Sequence, residues 1–110
     1  MALNKKNRLK KKRDFEDVFK RGKAVKGIFL FIKYRSNKLD VSRFGFVVST
    51  KISRKAVERN RIRRILSEAA RSIVNGLKGY DIVVFVNREI ILAPKKDTVE
   101  DFLEVLKKIR

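Results

Sequence analysis

Residues 59–64 read Arg-Asn-Arg-Ile-Arg-Arg, and they open the segment that decides the fold. From about residue 56 to residue 75, apolar side chains recur every three or four positions, which predicts a long helix that buries one stripe. The stripe consists of Ile62, Ile65, Leu66, Ala69, Ala70, Ile73 and Val74, and the helix is predicted to end at Asn75-Gly76. Because this stripe faces inward, the cations at the start of the helix face outward, where they can meet an anionic partner.

Segments on both sides of this helix are predicted as strands, at residues 23–26, 28–35, 44–50 and 80–86. In the second of these strands alternate residues point to opposite faces, so Phe31 and Lys33 share one face and Leu30 and Ile32 share the other. The last strand is almost continuously apolar, which is typical of a central strand covered on both sides.

Two shorter helices complete the pattern. Phe15, Val18 and Phe19 fall on one stripe of a first helix, and Gly22 follows as its C-terminal stop. Asp97 is predicted to cap a last helix, with an acidic residue three positions further on. The apolar stripe of that helix consists of Val99, Phe102, Leu103, Leu106 and Ile109.

A strand, a long helix and a second strand in succession predict a crossover between parallel strands. The sequence therefore predicts an α/β (α+β) two-layer sandwich, with an about four-stranded sheet and three helices in the order α-β-β-β-α-β-α. We expect one domain over residues 1–110, with residues 1–12 as a flexible basic arm.

The charge of the chain points to a polyanionic partner. Thirty Lys and Arg residues stand against 12 Asp and Glu residues, which gives a net charge of +18. Self-repulsion among these charges opposes folding, so this composition is typical of a protein that lies against nucleic acid. The domain is therefore predicted to bind RNA or DNA.

Several other classes of function are disfavoured. The chain has no cysteine and no histidine, which excludes disulfides, thiolate nucleophiles and a serine–histidine pair. No apolar run approaches the ~20 residues of a membrane span, and the N-terminus lacks an apolar signal core. We expect a cytoplasmic protein with no membrane partner, no small-molecule substrate and no catalytic residue of its own.

The predicted phosphate-binding residues are Arg59, Asn60, Arg61, Arg63 and Arg64 of the long helix, Lys51 and Arg54 of the preceding loop, and Arg8 of the arm. Arginine offers a planar fork to phosphate oxygens, and few acids offset this set. The alternative is a solvated basic face without a ligand. For the arm, the alternative is a disordered tail that orders only on its ligand.

A second predicted surface combines aromatic and cationic side chains. Phe15, Phe19, Phe29 and Phe31 lie close in sequence to Lys33 and Arg35. Exposed aromatic rings stack on unpaired bases, while neighbouring cations follow the backbone. For each single phenylalanine the core remains the alternative, and strand parity favours Phe31 as the exposed one because it shares a face with Lys33 and Arg35.

Several segments of the chain resemble the protein subunits of bacterial ribonuclease P. The similar segments are Asn7-Arg8-Leu9-Lys10-Lys11, Asp14-Phe15, Val18-Phe19-Lys20, Phe46-Val47-Val48-Ser49 with Lys51, and above all Ala56-Val57-Glu58-Arg59-Asn60-Arg61-Ile62-Arg63-Arg64. The Arg-Asn-Arg block followed by one apolar residue and two cations is specific for that family, and the length and basicity agree.

This resemblance implies a ribonucleoprotein whose RNA subunit cleaves precursor tRNA to give the mature 5′ end, using Mg²⁺ bound mainly by the RNA. The implied partners are ribonuclease P RNA and precursor tRNA. The Arg59–Arg64 block with the Lys51 loop would meet the RNA, while Phe15, Phe19 and Phe31, with Lys33, would line a cleft for the single-stranded 5′ leader. The implied fold is ribosomal protein S5 domain 2-like, with a left-handed crossover instead of the usual right-handed one. Ser67 stands where relatives usually place a cation, so one RNA contact is expected to be missing or supplied by Arg71.

Other readings predict different behaviour. A structural, ribosomal-type RNA-binding protein would bind RNA without affecting cleavage. A DNA-binding module would place the long helix in a major groove, but few short polar residues follow the arginine block to read base edges. A self-sufficient metal nuclease is disfavoured because the acidic residues are scattered.

Overall fold

The computed structural model describes residues 2–109, and its element order is the predicted α-β-β-β-α-β-α. The helices are α1 (Lys12–Arg21), α2 (Ala56–Ile73) and α3 (Lys95–Leu106), and the strands are β1 (Lys23–Lys26), β2 (Leu30–Ser36), β3 (Arg43–Val47) and β4 (Tyr80–Val86). Short 3-10 turns lie at Lys5–Asn7, Val74–Gly76 and Arg88–Ile91. Within this described range, no helix combines the length and the apolar character that a membrane span requires.

The four strands form one mixed sheet in the order β1-β2-β4-β3. Strand β2 runs antiparallel to both β1 and β4, whereas β3 and β4 are parallel neighbours joined through α2. The predicted parallel crossover is therefore confirmed, and its left-handed sense stays a prediction. Because parallel neighbours end at the same edge, the loops that follow β3 and β4 meet there.

The main core lies between one face of the sheet and helices α2 and α3. Leu30, Ile32 and Tyr34 of β2 are buried on this face, as the strand parity predicted. The stripe of α2 packs against them through fully buried Leu66, and Phe102 of α3 is also fully buried. Burial of these large side chains is the principal stabilising contribution to the domain.

A smaller cluster covers part of the opposite, outer face of the sheet. Leu9, Val18 of α1 and Val83 of β4 are buried together there, and Phe15 and Phe85 pack against them. Strand β4 is thus covered on both faces, which confirms the prediction from its continuous apolar sequence. Helix α1 covers only part of this face, and several side chains beside it stay partly exposed to solvent.

The structure contradicts the prediction of a flexible arm for residues 2–9. Leu3 and Leu9 are buried, Leu9 N–H donates to the Phe44 carbonyl at 2.9 Å, and the buried Asn7 amide donates to the Ser42 carbonyl at 2.9 Å. Residues 2–9 therefore dock along the free edge of β3, where Arg8 forms a parallel bridge with Phe44. The prediction was based on the many charges of the segment. It overlooked that two buried leucines and the unpaired edge of β3 are enough to bind residues 2–9 to the sheet. Residues 10–12 are exposed, and Met1 lies outside the described residues.

Element ends differ from the predictions for local reasons. Strand β2 begins at Leu30, because the Asp101 carboxylate accepts hydrogen bonds from the Ile28 and Phe29 N–H groups at 2.8 and 2.9 Å and bends the chain out of the sheet. Strand β3 ends at Val47, and a turn closed by a hydrogen bond from Ile52 N–H to the Ser49 carbonyl follows it.

The predicted cap of the last helix is wrong. Pro94 occupies the N-cap position of α3, and its carbonyl accepts a hydrogen bond from Thr98 N–H at 3.1 Å. Among the described residues no side chain caps this helix, and Asp97 lies exposed inside its first turn. Helix α2 ends slightly earlier than predicted. Its last residue is Ile73, and one 3-10 turn, Val74–Gly76, follows it.

Candidate nucleic-acid interface

The loop before α2 is held to the helix by internal polar contacts. The buried Ser53 hydroxyl accepts a hydrogen bond from Lys55 N–H at 3.1 Å and donates to the Glu58 carboxylate. Glu58 is the only acidic residue in the first turn of α2, and it is turned toward Ser53. The loop cations Lys51, Arg54 and Lys55 stay exposed, so the start of α2 presents positive charge to solvent.

Three arginines near the start of α2 are each fixed by a backbone carbonyl. Arg59 donates to the Ser53 carbonyl at 2.9 Å, Arg61 to the Ile91 carbonyl at 3.4 Å, and Arg63 to the Val48 carbonyl at 3.1 Å. We call Arg59, Arg61 and Arg63 the guanidinium cluster. A guanidinium carries five N–H donors, so each member keeps free donors after making its intramolecular bond.

The charges of the guanidinium cluster are not neutralised within the part of the chain that is described. Over residues 2–109 no carboxylate forms an ion pair with a member of the cluster or with the exposed Arg64. Arg63 also donates to the Asn60 side-chain oxygen at 3.0 Å. Asn60 is exposed, and it orients the Arg63 guanidinium. Oriented, unneutralised guanidiniums are suited to phosphate oxygens.

Arg88 also belongs to this basic surface, although the sequence alone did not predict it. Its Nε donates to the Lys51 carbonyl at 3.0 Å, and it lines a cavity of about 530 Å³ together with Lys51, Ser53 and Arg54. Arg88 follows β4, and Lys51 follows β3. Because parallel strands end at one edge, the predicted crossover already contained the signal that these two cations would meet.

Arg8 lies elsewhere. It pairs with Phe44 near the start of β3, whereas the guanidinium cluster lies beyond the end of that strand. Its Nε donates to the Leu3 carbonyl at 3.0 Å. A groove of about 310 Å³ surrounds it, lined mainly by Lys5, Lys6, Lys10 and Lys11. The predicted phosphate-binding residues therefore form two separate basic regions.

Phenylalanines from three elements meet on the outer face of the sheet. Phe31 of β2 stacks on Phe85 of β4, with ring centroids 4.7 Å apart and planes at 8°. Phe19 of α1 lies 5.5 Å from Phe85, and Phe15 lies 6.4 Å from Phe19. We call Phe15, Phe19, Phe31 and Phe85 the aromatic strip.

The aromatic strip is accessible and has a cation beside it. Phe19 is 40% exposed, and the other three rings are partly exposed. Lys33 lies on the same face of β2 as Phe31 and is also partly exposed. Arg35, further along this face, is 3.8 Å from Asp17 of α1, so its charge is partly offset. Within residues 2–109 no carboxylate forms an ion pair with Lys33. Rings and a free lysine charge on one face can stack bases and attract the strand that carries them.

Phe29 does not belong to the aromatic strip, whereas Phe85, which the sequence did not predict as a site residue, does. Phe29 packs against the main core, as the core alternative for a single phenylalanine allowed. Phe85 was missed because it lies in a continuously apolar strand, where no sequence pattern separates an outward ring from a core ring. The signal was the strand register, which sets Phe31 opposite Phe85 and depends on tertiary pairing.

Comparison with known proteins shows the family to which the chain belongs. A model of the Ribonuclease P family matches residues 3–110. The chain belongs to the ribonuclease P protein family. The ribonuclease P protein component of Clostridioides difficile is 40% identical over 111 residues, which cover 99% of this chain and 93% of that protein. The component of Syntrophomonas wolfei is 37% identical over 107 residues, which cover 96% and 89%.

Solved structures of ribonuclease P proteins share the fold. The Thermotoga maritima protein superposes with a TM-score of 0.86 at 35% identity, over 94% of this chain and 100% of that one. The Staphylococcus aureus protein gives a TM-score of 0.86 at 28% identity, over 92% and 93%. The fold class predicted from the sequence is thereby confirmed.

In this member of the family, Ser67 lies in the interior. Its side chain is fully buried, and its hydroxyl donates to the Arg64 carbonyl at 3.0 Å. The interior position of Ser67 argues against a contact between its side chain and RNA. The expected loss of an RNA contact, or its replacement by the exposed Arg71, stays a prediction.

Proposed function

We propose that this chain is the protein subunit of a ribonuclease P ribonucleoprotein that removes the 5′ leader from precursor tRNA. The observation that carries the proposal is the guanidinium cluster. In a member of this family, three arginines are oriented by backbone carbonyls and have no carboxylate partner among residues 2–109. The free N–H donors of these guanidiniums are suited to bind phosphate oxygens. We place its action in the bacterial cytoplasm, where precursor tRNA is made.

We assign phosphodiester cleavage to the RNA subunit. The described residues include no group of three or more acidic or other metal-ligating side chains that could hold a metal ion. We propose that Mg²⁺ is bound mainly by the RNA subunit, where it would serve the cleavage step. The protein contributes binding and orientation of two RNA molecules, the catalytic RNA and its substrate.

The two surfaces have separate tasks in this proposal. The guanidinium cluster, with Lys51, Arg54, Asn60 and Arg64, contacts phosphates of the catalytic RNA. Each phosphate neutralised releases counterions and steepens the dependence of binding on salt. The aromatic strip, with Lys33, holds unpaired bases of the 5′ leader by stacking. Mature tRNA lacks the leader, so the strip favours substrate over product.

Reconstitution tests the proposal. A 5′-extended precursor tRNA is incubated at low magnesium concentration with a bacterial ribonuclease P RNA, with and without this protein. We expect efficient release of the leader at the correct 5′ end only when both components are present. If the protein binds the RNA and cleavage is unchanged, the proposal fails and a structural RNA-binding role is favoured.

A further inference from the structure

Helix α1 contacts the outer face of β3 at two residues, Gly45 and Arg43. Alternate residues of a strand share a face, so Arg43 and Gly45 both point toward α1. At Gly45 the fit is close, since a Cβ atom at this position would lie 2.5 Å from Cε1 and Cζ of Phe15. Real Cβ atoms do not approach an aromatic ring so closely, so any larger residue must displace the ring.

Arg43 supplies the second contact. Its Nε and Nη2 donate to the two carboxylate oxygens of Asp81 in β4, at 2.8 and 2.7 Å, and its Nη1 is 3.4 Å from the carboxylate of Asp14 in α1. The hydrogen bonds to Asp81 and the charges of Asp81 and Asp14 raise the pKa of Arg43 despite its partial burial. Arg43 therefore links the sheet to the first turn of α1.

These two contacts, together with Val18 buried against Val83 of β4, set the position of Phe19. Phe15 and Phe19 are four residues apart and share one face of α1. With Phe15 seated over Gly45, Phe19 lies 5.5 Å from Phe85, which in turn stacks on Phe31. If α1 moved away from β3, Phe19 would leave Phe85 and the aromatic strip would open.

We propose that Gly45 and Arg43 are positioning residues that align α1 so that the aromatic strip can hold the 5′ leader. This inference rests on the proposed function, because it assumes that the strip binds leader bases. Neither residue contacts the leader in this account. Both act through Phe15 and Asp14, and their effect is specific to substrates that carry a leader.

The test compares two glycine substitutions in the reconstituted holoenzyme. Gly45→Ala forces Phe15 to move, whereas Gly76→Ala is a matched control, since a Cβ atom at Gly76 would meet nothing within 4 Å. Neither glycine has a positive φ, so alanine introduces no backbone strain at either site. The measured quantity is the leader preference, defined as the dissociation constant of mature tRNA divided by that of 5′-extended precursor tRNA.

We expect Gly45→Ala to lower the leader preference by about fivefold to tenfold, a large part of what one stacked base contributes, and Gly76→Ala to leave it unchanged. A fluorescent base analogue in the leader should lose its protein-dependent quenching in Gly45→Ala. Affinity for the RNA subunit should stay at the wild-type value, which a general loss of folding would not allow. Unchanged leader preference in a Gly45→Ala protein with altered melting temperature would overturn the inference.

Two further variants keep the test decisive if Gly45→Ala fails to fold. Asp14→Asn removes the α1 partner of Arg43 but leaves the Arg43–Asp81 pair, and we expect it to lower the leader preference by about twofold to threefold, the effect of a weak, partly exposed ion pair. In Phe15→Ala the ring is absent, so adding Gly45→Ala should change nothing more. A further loss in this double variant, or wild-type leader preference in Asp14→Asn, would contradict the positioning role.

Failure of this inference can be told apart from failure of the proposed function. If Phe19→Ala lowers the leader preference while Gly45→Ala and Asp14→Asn preserve it, the strip binds the leader and only the positioning role falls. If the wild-type holoenzyme shows no leader preference, the leader cleft itself is refuted, and the positioning role with it.

Discussion

The guanidinium cluster and the aromatic strip are assembled in different ways. All three members of the cluster lie within five consecutive residues of α2, and each is fixed by the carbonyl of a nearby loop or strand end. The strip takes its four rings from α1, β2 and β4, so it exists only when the sheet register and the seat of α1 are both correct. A surface carried by one helix tolerates distant changes, whereas a surface shared by three elements is sensitive to them.

The difference extends to the forces involved. In the proposed function, binding of RNA by the cluster would depend on counterion release and would weaken steeply with salt. Binding of the leader by the strip would depend on stacking, which salt affects less. The two surfaces should therefore respond differently to substitutions and to salt.

Phe102→Ala should remove both surfaces together. Phe102 is fully buried against Phe44 and Phe46, and loss of such a ring costs about 3–5 kcal/mol of the free energy of unfolding. Urea denaturation of the free protein measures this change. A loss below about 1 kcal/mol would show that the core is packed differently from this account.

Phe31→Ala should affect the strip alone. We expect affinity for precursor tRNA to fall by about 1–3 kcal/mol more than affinity for mature tRNA, because a base loses its stacking partner. Equilibrium binding to the holoenzyme measures both values. Ile28→Ala is the control, since Ile28 is an apolar side chain 73% exposed outside the strip. An equal loss on both tRNAs would assign Phe31 a purely structural role.

Arg61→Ala should affect the cluster alone. We expect the slope of log affinity for the RNA subunit against log salt to become shallower by about 0.7–0.9, the value for one phosphate contact. Lys96→Ala removes an exposed cation from α3 and should leave the slope unchanged. If the slope stays at the wild-type value in Arg61→Ala, this arginine lies outside the RNA contact.

Arg8→Ala should have the smallest effect and should add to that of Arg61→Ala. The two arginines lie in separate basic regions, and distant sites combine within about 0.3–0.5 kcal/mol. Filter-binding titrations of the single and double variants measure the sum. A strongly non-additive double variant would show that the two regions bind one continuous stretch of RNA.

Sequence reasoning succeeded where structure is determined locally. The bounds of β4 and the start of α2 follow from apolar runs and helical periodicity, and the observed elements Tyr80–Val86 and Ala56–Ile73 agree with them. The placement of the guanidinium cluster on the outward side of α2 follows from the same periodicity.

The errors arose where distant segments meet. Leu3 and Leu9 are buried because β3 has a free edge, which cannot be known before the strand order is known. Phe85 joins the aromatic strip through its register with β2. Asp97 fails as a cap because Pro94 precedes it and supports an earlier helix start. Each case depends on which partner a residue finds, and periodicity along one segment does not contain that information.

A double-mutant cycle between Phe31 and Arg61 tests the independence of the two surfaces most directly. The four proteins are compared by their affinity for 5′-extended precursor tRNA as reconstituted holoenzymes at one salt concentration. We predict that the free-energy losses of Phe31→Ala and Arg61→Ala add within about 0.5 kcal/mol in the double variant. A coupling of more than about 1 kcal/mol would contradict this account and show that the guanidinium cluster and the aromatic strip act as one site.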